Sequence, residues 1–222
     1  MKKIISILAA IAIMSTSSPA LISGAECYTT SYETVAMDVA GALAQPGWKD
    51  PAVGVTALRV KWNKVSGASG YRVYRLIGGK WTKVATLRGA GTTQYRDGGL
   101  ASATEYSYKV KAYRKTSHGT KWSKASAKLT ATTKPKQVKL SSCGATETAI
   151  RLNWQATRCD GYLVYQQQSD GSFERIAKLD NDATTYRVDG LSEGTKYTFK
   201  MRAYKRTPSG LIFGSCASKT KT

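Results

Sequence analysis

The stretch WNKVSGASGYRVYR, residues 62–75, is written again as WQATRCDGYLVYQ from residue 154, and this duplication constrains the fold more than any other feature. Registered on the tyrosines, the correspondence runs far downstream. Tyr95 matches Tyr186, Leu100 matches Leu191, Thr104 matches Thr195, Tyr106 matches Tyr197 and Tyr113 matches Tyr204, each pair 91 residues apart. Such a period is too long for a solenoid unit and suits one small domain, so the chain reads as two similar modules in tandem. Its 222 residues, 41% of them hydrophobic, supply two small cores that can form without metals.

From Thr56 onward the pattern is that of half-buried strands. Leu58, Val60 and Trp62 alternate with Arg59 and Lys61, and Ile150, Leu152 and Trp154 alternate with Arg151 and Asn153. After Gly70, Tyr71 and Val73 face inward while Arg72 and Tyr74 face outward. The run Tyr106, Tyr108, Val110, Ala112 alternates with Ser107, Lys109, Lys111 and Tyr113, and its echo is Tyr197, Phe199, Met201 and Ala203. Short strands parted by Gly and Ser turns, with no amphipathic helix between them, predict an all-β chain of two antiparallel two-sheet sandwiches. Trp81 and Trp122 align with Phe173 and Phe213 and are read as packing residues, whereas Trp48 has no counterpart and is expected at the surface.

Leu100-x-x-x-Thr104-x-Tyr106 and Leu191-x-x-x-Thr195-x-Tyr197 resemble the corner motif of fibronectin type III domains, in which the Tyr ring fills the core edge and its hydroxyl caps a backbone group upstream. Trp62 and Trp154 match that family's core tryptophan, and VSGASGYRVYR is similar to type III repeats of secreted and surface proteins of Gram-positive bacteria. The resemblance covers residues 52–134 as a first immunoglobulin-like module and 135–222 as a second; the usual Pro-Gly of the corner is Ser102-Ala103 in one and Glu193-Gly194 in the other. It implies a non-catalytic adhesion or spacer protein of the bacterial cell surface or extracellular space, with a cell-surface polymer or protein as partner.

Residues 1–25 have the basic, apolar and small-residue order of a secretory signal peptide: MKK, an apolar run from Ile4 to Met14, then Ser23-Gly24-Ala25. The apolar run is too short to span a bilayer as a mature helix, so a secreted soluble protein, a monomer held at the wall by charge if at all, is the expectation. Residues 26–51 form a leader segment, largely irregular. Val35, Met37 and Val39 fit either a short helix opened at Thr30 or a strand. Pro46 and Pro51 oppose regular pairing where the first module needs its opening strand, which is therefore missing or supplied by this segment.

For an exported chain, disulfides are the first expectation of Cys27, Cys143, Cys159 and Cys216. Cys159 and Cys216 replace Ala68 and Ala125 of the first repeat. A bridge between them closes a loop of about 57 residues and contributes ~4 kcal/mol in a chain-entropy treatment. Cys27 and Cys143 have no assigned pairing. Catalysis and cofactor binding are not expected. The single histidine, His118, stands in a loop without accompanying ligands, and the carboxylates fall on turns such as Asp97, Asp170 and Asp189. What remains is surface charge, +20 from 34 Lys and Arg against 14 Asp and Glu. The alternation places Arg72, Tyr74, Lys109, Lys111 and Tyr113 on the outer face of the first module and Lys200, Arg202 and Tyr204 on that of the second, beside Tyr165. Cations interleaved with tyrosines are a candidate site for an anionic polymer, whether teichoic acid, acidic polysaccharide or extracellular nucleic acid.

Overall fold

The computed structural model describes residues 41–222. The signal peptide, Cys27 and the Val35–Val39 stretch lie outside the described residues. The first sandwich comprises β1 Trp48–Val53, β2 Ala57–Trp62, β3 Gly70–Ile77, β4 Lys80–Arg88, β5 Gln94–Gly98, β6 Glu105–Thr116, β7 Gly119–Trp122 and β8 Leu129–Thr132. The second repeats the plan with β9 Leu140–Thr146, β10 Ala149–Trp154, β11 Gly161–Gln167, β12 Phe173–Leu179, β13 Thr185–Val188, β14 Tyr197–Thr207, β15 Gly210–Phe213 and β16 Ala217–Lys221. In each, a three-stranded sheet (β1-β2-β5, β9-β10-β13) faces a five-stranded one (β4-β3-β6-β7 with β8 also on β6; β12-β11-β14-β15 with β16 also on β14). Each sandwich has its own core. Leu58, Val60, Trp62, Tyr71, Val73 and Tyr108 are fully enclosed in the first, as are Leu152, Tyr162, Val164, Phe199 and Met201 in the second.

The duplicated stretch joins the two sheets. Trp62 on β2 meets Tyr71 on β3 edge to face at 5.3 Å, and Trp154 on β10 meets Tyr162 on β11 at 5.5 Å. The Tyr71 hydroxyl accepts from Val65 N–H at 2.9 Å and donates to Ala90 C=O at 3.1 Å, while the Tyr162 hydroxyl accepts from Thr157 N–H at 3.0 Å. At the corners, the hydroxyl of Tyr106 accepts from Ala101 N–H at 2.8 Å and that of Tyr197 from Ser192 N–H at 3.0 Å, as the corner motif requires. Ala103 sits there at φ 47°, in the left-handed region, where the second sandwich has Gly194 at φ 67°.

The leader supplies the missing strand. β1 pairs with β2 from Trp48 opposite Trp62 to Val53 opposite Leu58, and its register breaks between Lys49 and Ala52. Pro51 falls in that irregularity, where a residue without an N–H removes no ladder bond. Residue 52 is therefore inside a strand. Trp48, expected at the surface, packs on the core instead. Its ring meets Trp62 edge-on at 6.1 Å, its indole N–H donates to Ala127 C=O at 2.8 Å, and Leu43 is buried in the same cluster.

One polar cluster bridges the sheets of the first sandwich. Asp97 on β5 is 5% exposed, and its Oδ2 accepts from Arg75 Nη1 at 2.7 Å and from the Tyr108 hydroxyl at 2.7 Å. Burial, reinforced by the bond to Asp97, drives the Tyr108 phenol far above its ordinary pKa. The aligned residues of the second sandwich are Gln166, Val188 and Phe199, so the same space is filled there without charge.

Two stability predictions follow from these contrasts, both read by urea unfolding: tryptophan fluorescence reports the first sandwich, which holds every tryptophan but Trp154, and circular dichroism reports both. Asp97→Ala leaves Arg75 and Tyr108 unpaired and costs about 3 kcal/mol, whereas Asp97→Val with Tyr108→Phe and Arg75→Gln stays within about 1.5 kcal/mol of the parent; equal losses in the two variants contradict this. Ala103→Gly relieves the left-handed alanine and raises stability by about 1 kcal/mol, while Gly194→Ala lowers it by a similar amount.

Candidate functional site

The outer face of each larger sheet carries alternating rings and cations. In the second sandwich, Lys200 Nζ lies 3.6 Å from the centre of the Phe173 ring, and the Arg202 guanidinium lies 3.9 Å from the Phe213 ring and 5.3 Å from that of Tyr165. Arg202 Nη2 also donates to the Tyr165 hydroxyl at 2.8 Å. In the first, Lys109 Nζ lies 4.6 Å from the Trp81 ring and the Arg72 guanidinium 4.2 Å from that of Trp122. Strand pairing brings these groups together. Tyr74 is opposite Lys109 and Arg72 opposite Lys111, as Tyr165 is opposite Lys200 and Leu163 opposite Arg202. The guanidinium over the hairpin ring thus comes from β3 in one sandwich and from β14 in the other. In both cases its Nε is enclosed without a hydrogen-bond partner.

All eight residues singled out from the sequence lie on these strands, but they do not form one open cationic surface. Arg72, Tyr74, Lys109, Lys111, Lys200 and Arg202 are half-buried. Four of those cations are engaged by rings, an attraction of about 0.5–2 kcal/mol each. Tyr113 and Tyr204, expected outside, are buried. Each lies opposite a glycine, Gly70 and Gly161, and its ring covers the bare backbone there. Tyr113 also donates to Leu87 C=O at 3.3 Å and packs on Trp122 at 5.4 Å. Trp81, Trp122, Phe173 and Phe213 do pack, but on cations and tyrosines rather than in either core. Strand alternation gives the side of the sheet, and only cross-strand register gives the partners.

The cysteine and carboxylate positions have structural surroundings. Cys143, Cys159 and Cys216 are free thiols, so the expected Cys159–Cys216 bridge is not formed in this structure. Cys159 is buried beside Tyr162, whose hydroxyl is held above its ordinary pKa by burial, with Thr157 opposing and Cys159 reinforcing. Cys216 is exposed, its carbonyl accepting from Gln137 Nε2 at 2.7 Å. Asp97 belongs to the buried bridge, Asp170 accepts from Ser172 N–H at 2.8 Å, and Asp189 pairs with Arg187. Among the described residues no group of three or more His, Cys, Asp or Glu side chains could hold a metal.

This architecture is that of the fibronectin type III sandwich. The family model for the fibronectin type III domain matches residues 133–213, which takes in the second sandwich up to β15. A two-domain fibronectin type III segment of chicken tenascin aligns with a TM-score of 0.54 at 20% identity, covering 82% of this chain and 99% of that one. Among sequence relatives, Exoglucanase B of Cellulomonas fimi is 31% identical over 150 residues, 61% of this chain and 12% of the exoglucanase. Poly(3-hydroxybutyrate) depolymerase of Ralstonia pickettii is 35% identical over 119 residues, 53% of this chain and 22% of the depolymerase. The chain thus spans a small part of each of these relatives.

The covered glycines make a direct test of the ring arrangement. A Cβ on Gly70 would meet Leu87 C=O and stand 2.6 Å from the Tyr113 hydroxyl oxygen; on Gly161 it would meet Leu179 C=O and stand 2.7 Å from that of Tyr204. Gly70→Ala and Gly161→Ala are each expected to cost at least about 2 kcal/mol in thermal or urea unfolding, because backbone and a buried ring must both shift. A cost below about 0.5 kcal/mol at either position would mean the ring is not seated there.

Proposed function

We propose that the chain is a secreted, non-catalytic pair of fibronectin type III modules that fixes spacing between attached partners, or attaches to a surface polymer, outside a bacterial cell. The module boundary falls at Lys134–Pro135. The observation that carries the spacer role is the short, tied junction: Lys134 N–H donates to Gly54 C=O at 2.8 Å, and Arg158 Nη1 donates across it to Thr104 Oγ1 at 3.0 Å. Gly214 packs so closely on the linker that a Cβ would stand 2.9 Å from Pro135 C=O and 2.8 Å from Lys136 C=O. A join of this kind transmits orientation, whereas a long Gly/Ser tether does not. The matched relatives support the extracellular setting, being bacterial enzymes named for polymer substrates and resembling this chain over only part of their length.

A second reading, an anionic-polymer binder, is favoured by the charge of +20, since cation clusters recruit polyanions in a salt-dependent way. Small-angle scattering of the chain separates rigid spacing from flexible tethering. The spacer predicts one narrow family of inter-module arrangements, broadened by Arg158→Ala with two glycines inserted after Lys134. A parent profile that already requires a broad distribution contradicts it. Cosedimentation with cellulose and with poly(3-hydroxybutyrate) granules tests attachment in the same preparation.

A further inference from the structure

We infer that a groove on the outer face of the first sandwich binds an acidic sugar unit of an anionic polysaccharide, with Arg72, Arg88 and Lys115 meeting the acid group and Trp122 the sugar ring. The inference rests on the polymer-binding reading above and narrows it to one site. The groove encloses about 180 Å³ across β4, β3, β6 and β7, and Thr86, Thr120 and Tyr113 complete its lining. Three of its seven lining residues are cations and none is an acid. None of the three cations forms an ion pair among the described residues. Their charge is therefore uncompensated within the groove. A volume below that of an enclosing small-molecule pocket suits one unit of a chain that continues past it.

Preorganisation distinguishes this cluster from ordinary surface lysines. The Arg72 guanidinium is fixed over the Trp122 ring at 4.2 Å, and Trp122 is steadied by Tyr113 at 5.4 Å, so a planar cation is presented without further loss of side-chain freedom. Trp122 nevertheless keeps 38% of its surface in solvent, an amphipathic plate beside three positive groups. Polyanions in general need only the cations. A pyranose adds an apolar face that stacks on such a plate while its carboxylate or sulfate accepts from the guanidinium groups.

The second sandwich provides an internal comparison. By strand register, the positions of Arg72, Thr86 and Arg88 are taken by Leu163, Lys178 and Asp180, and those of Lys115, Thr120 and Trp122 by Arg206, Leu211 and Phe213. A leucine takes the place of Arg72, and Arg202 from β14 stacks on Phe213 in its stead, with Lys178 and Arg206 both beside Tyr204. The distinguishing exchange is Asp180 for Arg88, which puts an acid into the second cluster where the first has none, so binding is assigned to the first sandwich.

The test is titration of the full chain with polygalacturonate, with polyphosphate and neutral dextran alongside. The parent binds polygalacturonate with salt-dependent affinity and ignores dextran. Arg72→Ala and Arg88→Ala each weaken that binding about tenfold, the loss of one charge-assisted contact, whereas Arg206→Ala leaves it unchanged. Trp122→Ala, which also releases Arg72, weakens both polyanions, but polygalacturonate about fivefold more than polyphosphate. Arg88 is exposed, so its variant stays informative if loss of Arg72 disturbs packing. If the parent binds no polyanion, the polymer-binding reading and this site both fall. If it binds but Arg88→Ala and Trp122→Ala match the parent, the groove alone is overturned. Equal loss on both polyanions with Trp122→Ala removes the sugar assignment.

Discussion

The edge-to-face contact of one tryptophan with one tyrosine is the constraint from which each sandwich is built. Trp62 and Trp154 come from the smaller sheet, Tyr71 and Tyr162 from the larger, so the pair clamps the layers together. Aromatic side chains of this size remove about 150–250 Å² each from water, more than any aliphatic residue could at the same place. The tyrosine hydroxyl then reaches back to the loop that joins its strand to the tryptophan's, at Val65 in one copy and Thr157 in the other. One side chain thereby fixes the sheet separation and the path of the connection.

Around that common frame the two copies satisfy the same spatial demands with different chemistry. Where the first sandwich spans its sheets with Arg75, Asp97 and Tyr108, the second packs Gln166, Val188 and Phe199. The loop before the third strand is tied to the far strand by Ser69 Oγ, which accepts from Lys115 N–H at 3.0 Å, and in the second copy by Asp160 Oδ2, which accepts from Arg206 N–H at 2.9 Å. The carboxylate does more than the hydroxyl, because its other oxygen holds Lys205 Nζ at 2.6 Å. Partial burial works to raise the Asp160 pKa, but the bonds from Lys205 and Arg206 overcome it and hold the carboxyl below its ordinary value. Its contribution to stability is therefore present above the unfolded carboxylate pKa near 4 and fades as pH falls through the lower, folded value.

Most of the sandwich was legible because strand periodicity and the corner motif are local signals, and Tyr106 and Tyr197 are bonded as the motif requires. β1 was harder. A segment with two prolines scores poorly as a strand, and what rescues it is a register break against β2 that only the partner strand reveals. The outer face was half legible. Alternation put Tyr113 and Tyr204 on the correct side, but their burial follows from glycines opposite them in register, which alternation along one strand does not encode. The stacked pairs Arg72 with Trp122 and Arg202 with Phe213 were hidden for the same reason, since each depends on cross-strand register, β3 with β7 in one sandwich and the β14–β15 hairpin in the other. The aligned cysteine and alanine positions pointed to a Cys159–Cys216 bridge, whereas the structure sets Cys159 in the core beside Tyr162 with Cys216 at the surface, both free.

The ring-and-cation faces also change what the large positive charge signifies. A lysine or arginine stacked on an aromatic ring is partly desolvated and oriented, and its aliphatic stem covers apolar surface that the sheet would otherwise expose. Lys109, Lys200 and Arg202 act in this way as the outer layer of the fold, so a share of the formal charge is structural. The remainder is unevenly distributed between copies that are alike in backbone. Arg88 and Lys115 flank the stacked Arg72 in the first sandwich, whereas the stacked Arg202 of the second has Asp180 at the position matching Arg88. Duplication supplies two equal frames. Differences of a few side chains at matched register positions then give those frames outer faces of different charge.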